Sequence, residues 1–300
     1  MDQPSSTPTT FAGIWLPLIT PFADGALDER SLARLAAHYA AQPIDGVILA
    51  ATTGEGLVLD DDETARVVEI VAGAPARRRP VLLGLCGSDT RRLAKRLAAT
   101  ASWPVDGYLI TCPYYSRPSQ EGLHRHFAAL AGATDRPVLV YNIPYRTGVN
   151  MANDTLLRLA ALPNIVGVKD CCADTAQSAD LVRRRPLGFA VLTGDDALFY
   201  GALAQGADGG ILATAHVDPA GFAAVRDHVG AGRLVEARAA WDRLVDGVRL
   251  LFAEPNPAPI KHVLWRRGLI ASPELRLPMT GISAGLATQL DRLLSDQRAA

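Results

Sequence analysis

Eight short, continuous apolar runs punctuate this chain, at residues 13–20, 46–51, 80–85, 107–111, 137–142, 165–169, 189–193 and 210–213. Each is rich in Val, Ile or Leu and lacks polar alternation, as expected of parallel strands covered on both faces. Between the runs, apolar residues recur with helical period. Several of these segments open on residues that can cap free N–H groups: Asp28-Glu29, Asp60-Asp61-Asp62-Glu63, Ser88-Asp89, Ser119-Gln120-Glu121 and Asp195-Asp196. Eight unbroken strand–helix alternations predict an α/β chain folded as a (β/α)8 TIM barrel. A doubly wound open sheet is the competing architecture. Against it, no Gly-x-Gly-x-x-Gly follows the first run, and there is no P-loop or Gly-x-Ser-x-Gly elbow.

The 300 residues, 49% of them hydrophobic, suit one barrel-sized domain. Past the eighth run, helical patterns at 233–252, 258–267 and 284–295 predict additional C-terminal helices, with Glu254-Pro255-Asn256-Pro257-Ala258-Pro259 as a stiff connector. The expected division is a disordered lead at 1–10, the barrel at 11–232, and C-terminal helices packed on it at 233–300. Thirty basic against 31 acidic residues give a net charge of −1, so bulk charge draws this chain to neither nucleic acid nor an anionic membrane. The runs Arg77-Arg78-Arg79 and Arg183-Arg184-Arg185 read as solvated helix C-termini. The polar N-terminus lacks the pattern of a signal peptide, and no apolar stretch approaches a membrane span, so a cytoplasmic location is expected. Cys86, Cys112, Cys171 and Cys172 show no Cys-x-x-Cys spacing and read as small buried thiols.

In a barrel, chemistry gathers where strands end. The sixth run ends in Lys169, and an amine at the end of a buried strand can be held neutral and nucleophilic by desolvation. Alone it proves little, because most lysines are solvated. The other strand ends supply Thr52 and Thr53, then Tyr114 and Tyr115, then Tyr141 and Arg146, then Gly194, and finally Ile211. An amine, tyrosines, hydroxyls and an arginine fit imine chemistry on a keto acid. No His/Cys/carboxylate cluster completes a metal site. Asp195-Asp196, before a helix, reads as capping. His124 and His126, two apart on a helix, read as surface or packing residues.

The segments Thr52-Thr53-Gly54-Glu55, 113–122, 141–148, Glu254-Pro255-Asn256-Pro257 and 275–280 carry a resemblance over roughly residues 11 to 298. The chain resembles the dihydrodipicolinate synthase/N-acetylneuraminate lyase family of pyruvate-dependent class I aldolases, and within it the synthases. The resemblance implies that Lys169 forms the Schiff base, Tyr141 moves protons, and Thr52 and Tyr115 complete a proton relay. In that relay the tyrosine reaches into a neighbouring subunit's site. It further implies that Thr53 and Ile211 contact pyruvate, Gly194 leaves room near the bound acid, and Arg146 holds the aldehyde's carboxylate. The implied reaction joins pyruvate to L-aspartate-4-semialdehyde, giving 4-hydroxy-tetrahydrodipicolinate for lysine and diaminopimelate synthesis. A related aldolase or dehydratase acting on a sugar-derived keto acid is the alternative. The resemblance also implies a homotetramer (a dimer of dimers) and no metal or organic cofactor. Some positions depart from the pattern: Gly56 replaces a serine, and Asp170-Cys171-Cys172 follow the lysine. Arg92, Asp61 and Thr64 replace the glutamate and histidines of lysine-inhibited members, which implies a weak response to lysine.

Overall fold

The computed structural model describes residues 11–74 and 79–299. The lead at 1–10 lies outside the described residues, as do Arg77 and Arg78 of the first arginine run. Eight parallel strands close into a barrel: β1 Gly13–Pro17, β2 Gly46–Leu49, β3 Val81–Leu85, β4 Gly107–Thr111, β5 Val138–Asn142, β6 Ile165–Asp170, β7 Ala190–Thr193 and β8 Gly209–Ile211. β1 pairs with both β2 and β8, which completes the closure. At that seam Gly209 sits so close to the backbone of Gly13 that no Cβ fits between them. The expected barrel is therefore the observed one, with strand ends shifted by a few residues.

Side chains alternate between two cores, as strand geometry requires. Val138 and Val140 of β5 face the surrounding helices, while Leu139 and Tyr141 face the axis. Trp15, Ile48, Leu82, Leu109, Leu192 and Ile211 fill the axis with them. In β6, Val168 belongs to the outer core, so Lys169, its neighbour, points inward. The apolar runs lacked polar alternation because both faces are covered.

The capping residues act as read. Asp28, Asp60, Asp89 and Ser119 each accept backbone N–H bonds at the starts of their helices, and Asp60 with Glu63 forms a full capping box. A second device recurs at the opposite end of the barrel. Asp45, Asp106 and Asp208 each precede a strand-opening glycine, and each carboxylate accepts an N–H from the first or second residue of an adjacent strand: Ile14 at 2.7 Å, Val81 at 2.7 Å and Val191 at 2.8 Å.

Two local expectations are corrected. The helix expected at 233–252 is two, Leu234–Asp242 and Val245–Leu251, followed by Ala258–Arg266 and Ala284–Ala299. The run 13–20 also leads into a small hairpin, Phe22–Ala23 against Ala26–Leu27. Its turn residues Asp24 and Gly25 both have positive φ, at 53° and 79°. Asp-Gly between short apolar pairs is the sequence signal for such a turn.

Candidate active site

Lys169 and Tyr141 are direct cross-strand partners on β6 and β5. The Lys169 Nζ lies 4.3 Å from the centroid of the Tyr141 ring. Both are buried, at 6% and 4% exposure, in the mouth of the barrel. Burial, assisted by the nearby Arg146 charge, holds the Lys169 amine below the ordinary lysine value. Asp196 pulls the other way. Burial raises the Tyr141 phenol well above its ordinary value, against the opposing effects of Arg146 and a hydrogen bond with Thr52. A nucleophile poised toward its neutral form thus faces an acid that keeps its proton.

Gly194, at the end of β7, makes the space. A Cβ there would lie within 3 Å of the Lys169 side chain and against the sulfur of Cys171. Ile211 closes the floor at 1% exposure. Thr53 is buried, and its Oγ1 accepts a 2.9 Å hydrogen bond from Asn256 Nδ2. Arg146 stands at the exposed rim, its guanidinium 5.0 Å from the Tyr145 ring centroid.

Tyr115 stands apart. Its side chain is 95% exposed and its φ is +69°, a left-handed conformation that disfavours a bulky residue. The loop is held there by Tyr115 N–H to the Thr147 carbonyl at 3.3 Å and by Arg117 Nε to the Gly148 carbonyl at 2.8 Å. So the structure gathers Lys169, Tyr141, Thr52, Gly194, Ile211 and the Arg146 charge, keeps Thr53 buried next to Thr52 in the chain, and presents Tyr115 outward.

Asp196 corrects the sequence reading. Only Asp195 caps, accepting from Ala197 N–H. Asp196 is 1% exposed and accepts from both the N–H and the hydroxyl of Thr214 at 2.6 Å, tying the end of β7 to the end of β8. Burial pushes its carboxyl up to about 6, against those hydrogen bonds and the Lys169 charge. His126 is a packing residue: it is buried, with Nδ1 2.8 Å from the Thr90 hydroxyl. Cys112 and Cys171 are buried; Cys86 and Cys172 are half-buried. A cavity of about 650 Å³ opens beside Tyr114 and Tyr115, and Asp61, Thr64 and Arg92 are in its lining. Among the described residues no group of three or more His, Cys, Asp or Glu side chains could hold a metal ion, and no helix is long and apolar enough to cross a membrane.

A closed barrel with a buried strand-end amine beside a tyrosine has the layout of a lyase that works through an imine on lysine. The comparisons narrow this class. The chain belongs to the dihydrodipicolinate synthetase family, whose model matches residues 10–297. It is 41% identical over 282 residues to 4-hydroxy-tetrahydrodipicolinate synthase 2 of Clostridium acetobutylicum, covering 94% of this chain and 99% of that one. Its structure is similar to that of dihydrodipicolinate synthase from Aquifex aeolicus, with a TM-score of 0.92 and 33% identity over 96% of this chain and 98% of the other. It is also similar to the chloride-inhibited dihydrodipicolinate synthase of Acinetobacter baumannii complexed with pyruvate, with a TM-score of 0.91 and 33% identity over 96% and 99%.

Proposed function

We propose that this chain condenses pyruvate with L-aspartate-4-semialdehyde to give 4-hydroxy-tetrahydrodipicolinate, through a Schiff base on Lys169. The observation that carries this reading is the inward-facing Lys169, one ladder step from Tyr141, with Gly194 clearing space beside it. Kinship with 4-hydroxy-tetrahydrodipicolinate synthases supplies the substrate pair. The neutral amine adds to the ketone carbon of pyruvate, and loss of water leaves the imine. Loss of a methyl proton gives the enamine, whose carbon attacks the aldehyde. The substrate's own amine then closes the ring and expels Lys169.

The residue roles are those the family resemblance implies. Tyr141 donates and accepts the protons, with Thr52 as its hydrogen-bonded relay. Thr53, Ile211 and the gap at Gly194 cradle the keto acid. Arg146 binds the aldehyde's carboxylate at the rim. Tyr115, aromatic and almost wholly exposed on a left-handed backbone, completes the relay in a neighbouring copy's site, within a homotetramer built as a dimer of dimers. The chain works in the cytoplasm and needs no metal or organic cofactor, because the lysine itself supplies the electron sink.

The test is a panel assay pairing pyruvate with aspartate semialdehyde, N-acetylmannosamine and simple aldehydes. The highest kcat/KM is expected with aspartate semialdehyde; a higher value with the sugar would move the reading to the sialate-lyase branch. Arg146→Ala is expected to keep the borohydride-trapped pyruvate adduct. Its kcat/KM for the semialdehyde should fall about 10- to 100-fold, the worth of a charge-assisted hydrogen bond. Unchanged turnover would remove Arg146 from its role. Weak inhibition by lysine is a further expectation, since the cationic Arg92 lines the cavity beside Tyr114 and Tyr115, where lysine-inhibited members carry a glutamate. Strong inhibition by millimolar lysine in a steady-state assay would contradict it.

A further inference from the structure

The turn that carries Thr52 and Thr53 is held from above by a part of the chain some two hundred residues away. Within the turn, Glu55 N–H donates to the Thr52 carbonyl at 3.1 Å, and Glu55 has φ +52°. On its underside, the Thr20 hydroxyl donates to the Gly54 carbonyl at 2.7 Å. The upper side is met by the segment after the barrel. Asn256 donates to Thr53 Oγ1, the fully buried Lys261 ammonium pairs with the Glu55 carboxylate, and Arg276 N–H reaches the other Glu55 oxygen at 3.3 Å. Lys261 also donates to the Glu274 carbonyl at 2.8 Å and packs 4.3 Å from the Phe22 ring centroid. Asn256, Lys261, Glu55 and Arg276 have no part in the machinery described above.

A buried ion pair is expensive to desolvate, and an apolar pair of the same shape would commonly serve stability as well. What the polar version adds is a fixed direction. A threonine hydroxyl has one hydrogen to give and two lone pairs to receive. Asn256 Nδ2 fills one lone pair of Thr53 Oγ1, so the O–H hydrogen is left to donate elsewhere. That suits an anion in the barrel mouth.

We infer that Asn256, with the Lys261–Glu55 pair behind it, is a positioning residue for the keto acid, aiming the Thr53 O–H at its carboxylate. This rests on the reading of the site as a pyruvate site. The Lys261–Glu55 pair locks the turn at one end and Asn256 sets the hydroxyl at the other; Asn256 lies in the connector and Lys261 in the helix that follows it, so the C-terminal segment governs the binding of the first substrate.

The test uses the full chain and three variants: Asn256→Ala, Asn256→Asp, and the charge-free Glu55→Gln/Lys261→Met pair. Asn256→Ala should raise the KM for pyruvate about 10-fold, the worth of one well-aimed hydrogen bond. The semialdehyde KM should stay within about twofold, and the borohydride adduct should still form at saturating pyruvate. Asn256→Asp should be worse than alanine, because a carboxylate there takes the Thr53 hydrogen for itself and turns the hydroxyl away from the substrate. A purely structural role predicts the reverse, since aspartate preserves the shape. The double variant should raise the pyruvate KM in the same sense. An unchanged pyruvate KM in folded Asn256→Ala and Asn256→Asp, or aspartate binding pyruvate as well as the native enzyme, overturns the inference whether or not the double variant folds. If the native protein traps no pyruvate, the functional reading itself falls, and with it this one.

Discussion

Lys169→Met is expected to lose the reaction altogether and to gain stability in doing so. Without the amine there is no imine, so borohydride with pyruvate should add no mass to the protein. kcat/KM should drop by at least about 10³-fold, as for removal of a covalent nucleophile. The stability gain follows from the same burial that makes the amine reactive. Folding takes a cation out of water, which holds its pKa below 10.5 in the native state. Below the native pKa both states carry the proton and the folded form bears the full penalty. As pH climbs from the native pKa toward 10.5, the unfolded chain binds more protons than the folded one, so the penalty fades. Methionine removes it. The variant should be about 1–3 kcal/mol more stable than the native chain at neutral pH by denaturant titration, and that margin should shrink in alkaline buffer. A variant that is both inactive and less stable would mean that Lys169 is a structural ion-pair partner and not a strained nucleophile.

Tyr141→Phe carries the second large effect, of a different kind. The phenylalanine keeps the ring in the axial core beside Lys169 and loses only the hydroxyl, so the melting temperature should hardly move. Proton transfer by a positioned side chain contributes about 10²- to 10⁴-fold, and kcat should fall by an amount in that range. Pyruvate should still be trapped, more slowly, because carbinolamine dehydration also needs a proton. Burial keeps the native phenol above its ordinary value, so the native rate should show no loss from ionisation of this tyrosine below pH 10. A kcat within about threefold of native would assign the proton transfers to another group.

The barrel was legible in the sequence because its strands are apolar on both sides and its helices begin with caps. Position 169 could also be placed at the functional face, since the sixth apolar run ends there. What local patterns could not carry were contacts between distant segments. Asp196 looks like the second residue of a cap, and only the fold shows it turned in to Thr214, 18 residues on. Asn256 meets Thr53 across 203 residues; the connector Glu254-Pro255-Asn256-Pro257 stood out as rigid, but rigidity does not say what it touches. The break after Asp242 was hidden because apolar residues continue in helical phase through Leu244, Val248 and Leu251. Tyr115 is the converse. Its motif pointed to a relay, while its own chain leaves it in the open.

The cross-strand pairing of Tyr141 with Lys169 has a bearing on how such a protein can change. Their spacing is set by the hydrogen-bond ladder between β5 and β6, one of the least alterable parts of a barrel. Arg146, which we propose binds the second substrate, sits on a short loop helix, Pro144–Thr147, outside that ladder. The bond-making apparatus and the choice of partner are thus inherited through separate pieces of chain. Mutation can explore new aldehydes at the rim while the imine chemistry beneath passes on undisturbed.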